Sequence, residues 1–289
     1  MPAVLLIVKG SDDPLPLRKH LQYGFLFGLL SNGLLLHWMV FALWHYTPLS
    51  VLGYAGTLLL LSFLNAALFA VCGWIVRATG MSILVAFPAL WTALDWMVGH
   101  FADLRFPWLG LGTSLTGFPT VVQAADIVGA RGLTLFLALA NTALALAWIG
   151  RRDRRRLVRM SGGVLIGVML AVSYGAVRER TLEMRPLGEV VLVQPNVGAE
   201  EKWDRTRQDT IVRALLTLSA AAIEEVFPDL IVWPEVAVPG DLERRPYWKR
   251  RISEFALGAN TPMVVGALHS EDLSGSCLLY TSDAADDQG

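Results

Sequence analysis

Long apolar segments without charged side chains dominate the first part of the chain. Between Lys19 and Arg77 there is no Asp, Glu, Lys or Arg. This length accommodates two helices of about 20 residues, the number that crosses a bilayer core, with a turn at 45–48. Helices of soluble proteins carry a polar face, and these segments carry none, so the pattern predicts five transmembrane helices within 1–178. The other three are predicted at 81–97, 132–149 and 161–177.

Basic residues fall on one side of these predicted spans. One side receives Arg18, Lys19, Arg77 and the arginine-rich segment 151–159, whereas the other receives the short turn and a segment with a single arginine. Positive charge marks the cytoplasmic face of a membrane protein. The sequence therefore predicts that everything after Arg178 lies outside the cytoplasm. No cleavable signal peptide is predicted, because the first apolar patch is short and lacks a basic flank.

After Arg178 the pattern becomes that of a water-soluble domain. Short apolar, β-branched runs alternate with segments whose apolar residues recur at helical spacing. This order, strand, helix, strand, helix, strand, is typical of an α/β layered domain, which we assign to 186–276. The predicted elements are strands at 190–193, 229–233 and 263–268 and helices at 207–226 and 247–257.

Composition supports a membrane protein and excludes some other classes. Hydrophobic residues make up 54% of the chain and charged residues 17%, against roughly 25% charged in a soluble globular chain. The net charge of -1 gives no reason to expect a nucleic-acid partner. Cys72 and Cys277 show neither a CxxC motif nor the spacing of metal ligands, so the cysteines do not indicate a redox compartment. No metal and no cofactor is predicted.

One acidic residue stands where an apolar strand ends. In DLIVWPEVAVPG, Glu235 follows the predicted strand 229–233 directly after Pro234. An acid in this place is most often a solvated turn residue or a helix cap. Apolar and aromatic neighbours, however, favour the protonated form of a carboxylate, which suits a general base that activates a thiol. Glu235 is therefore a candidate catalytic residue.

The residues around Glu235 resemble those of a known superfamily. DLIVWPE and VVLVQPNV are similar to strands of the carbon–nitrogen hydrolase (nitrilase) superfamily. ALWTALDWMVGH followed by RFPWLGLG, then IVGARGLTLFLALAN, KWD and PDLIVWPE, occur in the order found in bacterial apolipoprotein N-acyltransferases. The resemblance implies a multi-pass α-helical membrane domain followed by an incomplete α/β nitrilase-like domain, an α-β-β-α sandwich. It also implies a bacterial inner-membrane protein with that domain on the periplasmic side.

The resemblance also implies a reaction and its partners. In this family a Cys takes an acyl chain from a phospholipid as a thioester and passes it to the α-amino group of the N-terminal diacylglyceryl-Cys of a lipoprotein. Glu235 matches the general base. Trp203, in KWD, matches a Trp on a loop near the active site and would contact substrate, with an aromatic cap on the soluble domain as the alternative.

Three polar residues within the predicted spans have simpler interpretations. Asp95 matches an acid of the family's membrane signature, although a helix-end acid that reaches lipid headgroups is the plainer explanation. His37 and Asn65 are interpreted as helix–helix contacts.

Other features depart from the family pattern. Lys249 lies among arginines of a solvated helix and does not match the family's oxyanion Lys, and Cys277 lacks the context of the nucleophile. The tail 277–289 resembles translated adapter sequence and is predicted to be non-native. We expect a fragment, truncated at both ends and inactive by itself because the Lys and Cys are missing. Two alternatives are a membrane-anchored amidase, with water as acceptor, and a non-enzymatic membrane protein whose α/β tail binds a partner.

Overall fold

The computed structural model of the protein describes residues 16–44, 47–100 and 106–268. Two positions of the predicted 45–48 turn, and Cys277 with its tail, lie outside the described residues. The chain divides into two compact units, Met1–Glu183 and Met184–Gly289. We call them the membrane unit and the α/β unit.

Apolar helices make up the membrane unit. Among the described residues, four helices are long and apolar enough to cross a membrane, and there are five if α1 and α2, bent by 46° at His37, form one span. Four of the predicted apolar segments therefore fold as membrane-capable helices, and the first does so only if α1 and α2 form one span. The last two helices begin seven residues earlier than predicted. The helices are α1 (Leu17–Leu36), α2 (Trp38–Trp44), α3 (Ser50–Thr79), α4 (Ile83–His100), α5 (Pro119–Val122), α6 (Ala125–Ile149) and α7 (Arg154–Thr181).

Small residues allow α1 and α3 to pack closely. A Cβ atom at Gly24 would lie 2.7 Å from the Ala66 Cα, and one at Gly28 would lie 2.8 Å from the Ser62 Cα. Such close approach of backbones is a common means of helix association in membranes. Asn65 is buried at this contact, as expected of a helix–helix residue, and its Nδ2 donates to Leu61 O within α3.

His37 does not pack between helices. Its side chain is exposed, and its Nδ1 lies 2.8 Å from Leu34 O in the preceding turn. His37 therefore marks the bend between α1 and α2, which corrects the expectation of a helix–helix contact.

The α/β unit is built on a three-stranded parallel sheet in the order β1-β2-β4. The register pairs Val191 with Ile231 and Ile231 with Met263. The strands are β1 (Val190–Leu192), β2 (Leu230–Val232), β3 (Val238–Asp241), β4 (Met263–Val264) and β5 (Ala267–Leu268), and the helices are α8 (Ala199–Trp203), α9 (Gln208–Glu225) and α10 (Pro246–Ala259). The predicted strand 263–268 is broken, because β5 pairs with β3 in a separate sheet.

Helices cover one face of the three-stranded sheet. The apolar face of α9 packs with Ile231 and Trp233 in the core, and the Trp233 indole donates to Ser219 Oγ at 2.9 Å. On α10, the Trp248 indole donates to Asp209 Oδ1 at 2.7 Å, and this hydrogen bond, with one from Arg213, lowers the pKa of Asp209. These contacts fix α9 and α10 against the same face.

The other face of the sheet remains apolar and exposed. Because side chains alternate along a strand, Val190, Leu192 and Val264 point away from the helices. They are 50%, 75% and 48% exposed. The sheet therefore presents one covered and one uncovered apolar face.

Candidate active site

Glu235 lies in a turn at the carboxyl end of the central strand, β2. Ala237 N donates to Pro234 O at 3.0 Å and closes the turn, while Val236 has a left-handed φ of 51°. Gly266 packs directly on this turn: an added Cβ would lie 2.2 Å from Pro234 O and 2.8 Å from the Glu235 Cα. Only glycine fits there, so the link between β4 and β5 holds the backbone of Glu235 in place.

The carboxylate itself is not in dry surroundings. The Glu235 side chain is exposed, whereas its neighbour Trp233 is buried in the core on Ser219. The expectation that apolar and aromatic neighbours enclose the acid is therefore wrong for the residues that the structure describes. The two side chains therefore differ in burial, although they are only two positions apart in the sequence.

A lysine that sequence reasoning did not single out lies beside the turn. The Lys202 Nζ is 3.4 Å from the backbone oxygen of Glu235. Lys202 precedes Trp203 in KWD, so this contact brings the two predicted site segments together. The structure places Trp203 at the end of α8, 44% exposed. The family resemblance implies a Lys downstream of Glu235 instead, and Lys249 there pairs with Glu243 at 2.7 Å.

Short-range polar contacts shape the segment that carries Trp203. Asp204 Oδ1 accepts from the backbone N and the Oγ1 of Thr206, at 2.9 and 2.7 Å. The hydroxyl bond in particular lowers the pKa of Asp204. Arg207 pairs with Glu201 at 2.7 Å on the other side of the turn. The loop after Trp203 is thus an Asx-type turn with a defined path.

Asp95 belongs to a polar cluster inside the membrane unit. Its Oδ2 accepts from Arg131 Nη1 at 2.5 Å and from Thr134 Oγ1 at 3.2 Å, and its side chain is only 10% exposed. Thr134 Oγ1 in turn accepts from Gly112 N at 3.0 Å. Asp95 therefore joins α4 and α6, which corrects the interpretation of an acid that reaches lipid headgroups. Arg131 stands alone as a cation beside an apolar segment, and this feature of the sequence could have indicated that it pairs with an acid such as Asp95.

Other candidate groups do not join a site. Cys72 is a buried, free thiol within α3. Among the residues that the structure describes, no group of three or more His, Cys, Asp or Glu could hold a metal ion.

Comparison with known proteins decides the family. Residues 1–143 match the apolipoprotein N-acyltransferase N-terminal domain. The chain is 31% identical over 288 residues to the apolipoprotein N-acyltransferase of Geobacter metallireducens. The aligned region covers 98% of this chain and 54% of that protein. The chain belongs to the apolipoprotein N-acyltransferase family. Similar family members include those of Methylococcus capsulatus, 34% identical over 76% of this chain and 43% of that protein, and of Caulobacter vibrioides, 28% identical over 96% and 53%.

The alignment extends over both units of this family member. The match to the N-terminal domain covers α1 to α5 and most of α6, whereas the similarity to the G. metallireducens protein extends over almost the whole chain. The chain spans about half the length of the curated relatives it matches.

Proposed function

We propose that the protein is an apolipoprotein N-acyltransferase and that these 289 residues hold its membrane unit and part of its catalytic set. The reaction moves an acyl chain from a phospholipid, through a Cys thioester, to the α-amino group of the N-terminal diacylglyceryl-Cys of a lipoprotein. The observation that carries the proposal is the alignment with the G. metallireducens apolipoprotein N-acyltransferase, which covers 98% of the chain and therefore both units.

In this proposal the α/β unit is the first part of a nitrilase-like α-β-β-α sandwich. Such a sandwich needs sheets with helices on one face and a second sheet on the other. The β1-β2-β4 sheet fits this requirement, because α9 and α10 cover one face while Leu192 and Val264 leave the other apolar and exposed. A second sheet would remove this surface from water.

Glu235 would act as the general base. As the thiolate forms and attacks the ester carbonyl of the phospholipid, the carboxylate takes the thiol proton and returns it to the leaving alkoxide, which departs as a lysophospholipid. The lipoprotein amine then attacks the thioester, forms the amide and releases the thiol. The turn closed by Pro234 and Ala237 and packed on Gly266 supports this role, since a base must be held at a fixed position.

Trp203 would contact the lipid or lipoprotein substrate. Its exposed indole offers an apolar surface with one polar edge, which suits a lipid substrate. Lys202 would keep this loop close to the base through its contact with the Glu235 backbone.

We propose further that the protein lies in the bacterial inner membrane with its α/β unit on the periplasmic side. The support is the arginine-rich segment 151–159, which runs from the turn after α6 into the start of α7 and so marks the cytoplasmic ends of these two helices. Reporter fusions at Asp153 and Gly198 are expected to be active in opposite compartments, the first in the cytoplasm and the second in the periplasm. The same compartment for both would contradict this orientation.

The function is tested with a phospholipid that carries a labelled acyl chain. The chain by itself is expected to take up no hydroxylamine-sensitive label, because Cys72 is buried within a span and Cys277 lacks the context of the family's nucleophile. A chimera in which the remaining part of the G. metallireducens protein follows Leu268 is expected to take up label on a Cys of the added part. Label on Cys277 of the chain alone, or a chimera that folds but stays unlabelled beside a labelled G. metallireducens protein, would contradict the proposal.

A further inference from the structure

A groove lies in the membrane unit between α4, α6 and α7. Its volume is about 310 Å³, and most of its lining is apolar, including Phe136, Leu139 and Val164. Arg159 and Gly163 of α7 also line it, and Arg159 is the only charged residue among the described ones that do so. The groove is therefore an apolar surface with one cation.

Two glycines of α7 show where the groove ends. A Cβ atom added at Gly167 would lie 2.8 Å from the ring of Phe136, so α6 and α7 meet at this point. One turn earlier, a Cβ atom added at Gly163 would meet no neighbouring group of the described residues within 4 Å. Space between the helices therefore opens from Gly163 toward the start of α7.

The groove runs from a charged end to an apolar end along α7. The helix begins at Arg154, so Arg159 lies roughly 7 Å and Gly163 roughly 13 Å along its axis, at about 1.5 Å per residue. No charged residue occurs from Met160 to Val177. A long arginine side chain near the end of a span keeps its charge at the level of the lipid headgroups. A charge at this level above an apolar groove matches the amphipathic form of a phospholipid.

The charges around Arg159 favour an anionic occupant. The segment 151–159 holds six arginines and one acid, Asp153. Among the residues that the structure describes, none of these arginines forms a salt bridge. Asp153 caps α7, because its Oδ1 accepts from the backbone N of Arg155 at 2.9 Å and of Arg156 at 3.2 Å. A headgroup amine would therefore meet mainly cations here, whereas a phosphate without an amine would meet none of its own sign nearby except this capping acid.

The guanidinium of Arg159 has donors to spare. Its Nε donates to Arg155 O at 3.4 Å, and within the described part of the chain its two Nη groups make no hydrogen bond. A planar guanidinium donates to two phosphate oxygens at once. Arg159 can therefore bind a phosphate without giving up a contact within the protein.

We propose that this groove binds an anionic phospholipid, with its phosphate on Arg159 and the first part of an acyl chain against Phe136, Leu139 and Val164. Basic pockets between transmembrane helices on the cytoplasmic side hold anionic headgroups in other membrane proteins. The lipid belongs to the cytoplasmic leaflet if the orientation proposed above is correct. It is bound as a resident lipid and takes no part in acyl transfer.

Photocrosslinking with two matched lipids tests the proposal. The purified chain in phosphatidylcholine nanodiscs receives a trace of phosphatidylglycerol or of phosphatidylcholine, each with the same diazirine in its acyl chain near the ester. Phosphatidylglycerol is expected to label groove residues such as Leu139, Met160 and Val164 more strongly than phosphatidylcholine. Arg159→Gln is expected to lower this preference roughly fivefold, the contribution of one basic residue at an anionic lipid surface.

Two matched controls separate the groove from the surface around it. Arg152→Gln removes the same charge from the same segment, but Arg152 is exposed and does not line the groove, so most of the preference should remain. Gly163→Leu fills the groove and is expected to lower its labelling by both lipids. Gly162→Leu adds the same side chain where a Cβ atom also meets nothing within 4 Å, outside the groove, and should leave the labelling unchanged. Thermal unfolding checks that all variants fold.

Three results would overturn the proposal. Equal labelling by the two lipids would show that the headgroup charge is not recognised. An equal loss of preference in the Arg152 and Arg159 variants would assign it to general attraction by the basic segment. Undiminished labelling of the Gly163→Leu variant would place the lipid outside the groove. The readout involves no catalysis, so failure of the acyl-transfer assay would not affect it.

Discussion

Glu235→Gln in the chimera is expected to slow thioester formation by a factor of about 10² to 10⁴, the usual contribution of a general base. Glutamine keeps the size and shape of the side chain but cannot accept the thiol proton. Since Glu235 is exposed in a turn whose backbone is held by other residues, the substitution is expected to leave the melting temperature unchanged. The measurement is the initial rate of hydroxylamine-sensitive labelling.

Glu243→Gln is the matched control for that variant. Glu243 is another exposed acid of the α/β unit, and it pairs with Lys249 at 2.7 Å. Its loss is expected to leave the labelling rate within about twofold of the unmodified chimera, because surface ion pairs contribute little. Equal rates for the Glu235→Gln and Glu243→Gln variants would assign the base to another residue.

Arg131→Met is expected to destabilise the membrane unit by about 2 to 3 kcal/mol. The substitution leaves Asp95, whose side chain is 10% exposed, without its charged partner. The expected cost is below the roughly 3–5 kcal/mol of a fully buried pair, because 38% of the Arg131 side chain is exposed and solvent screens its charge. Reversible unfolding in detergent micelles measures the change.

Two further variants separate this account from a general effect of losing arginine. Arg178→Met breaks an exposed pair with Asp126 in the same unit and is expected to change the stability far less than Arg131→Met does. Asp95→Leu combined with Arg131→Met removes both charges and is expected to recover most of the stability. Equal losses of stability for the Arg131 and Arg178 variants, or no recovery of stability in the double variant, would contradict the account. Either result would show that Arg131 does not offset the cost of the buried Asp95 charge.

Much of the fold follows from local patterns in the sequence. Long apolar segments predicted the membrane-capable helices of the described residues, and short apolar runs predicted β1, β2 and β4. The end of the third strand could not be predicted, because 263–268 is one apolar run. The run is broken because β5 pairs with β3, while Gly266 packs closely on Pro234, and both contacts form only when distant segments meet.

The surroundings of the candidate residues were less predictable. Glu235 was found from its place after a strand, but its exposure depends on how the turn aims the side chain. The Asp95–Arg131 pair joins residues 36 positions apart, and the Lys202 contact joins residues 33 positions apart. Sequence reveals that such charges exist, whereas the packing of helices and the path of loops decide which of them meet.

The central claim, that the protein acylates lipoprotein amines, is tested most directly by mass spectrometry of a lipoprotein N-terminus. The lipoprotein is isolated from cells depleted of their own N-acyltransferase that express the chimera, its Glu235→Gln variant or the G. metallireducens protein. The account predicts a third acyl chain on the α-amino group with the chimera and with the G. metallireducens protein, and a free amine with the Glu235→Gln variant. A free amine with a folded chimera, accompanied by release of fatty acid to water, would contradict the account and support an amidase.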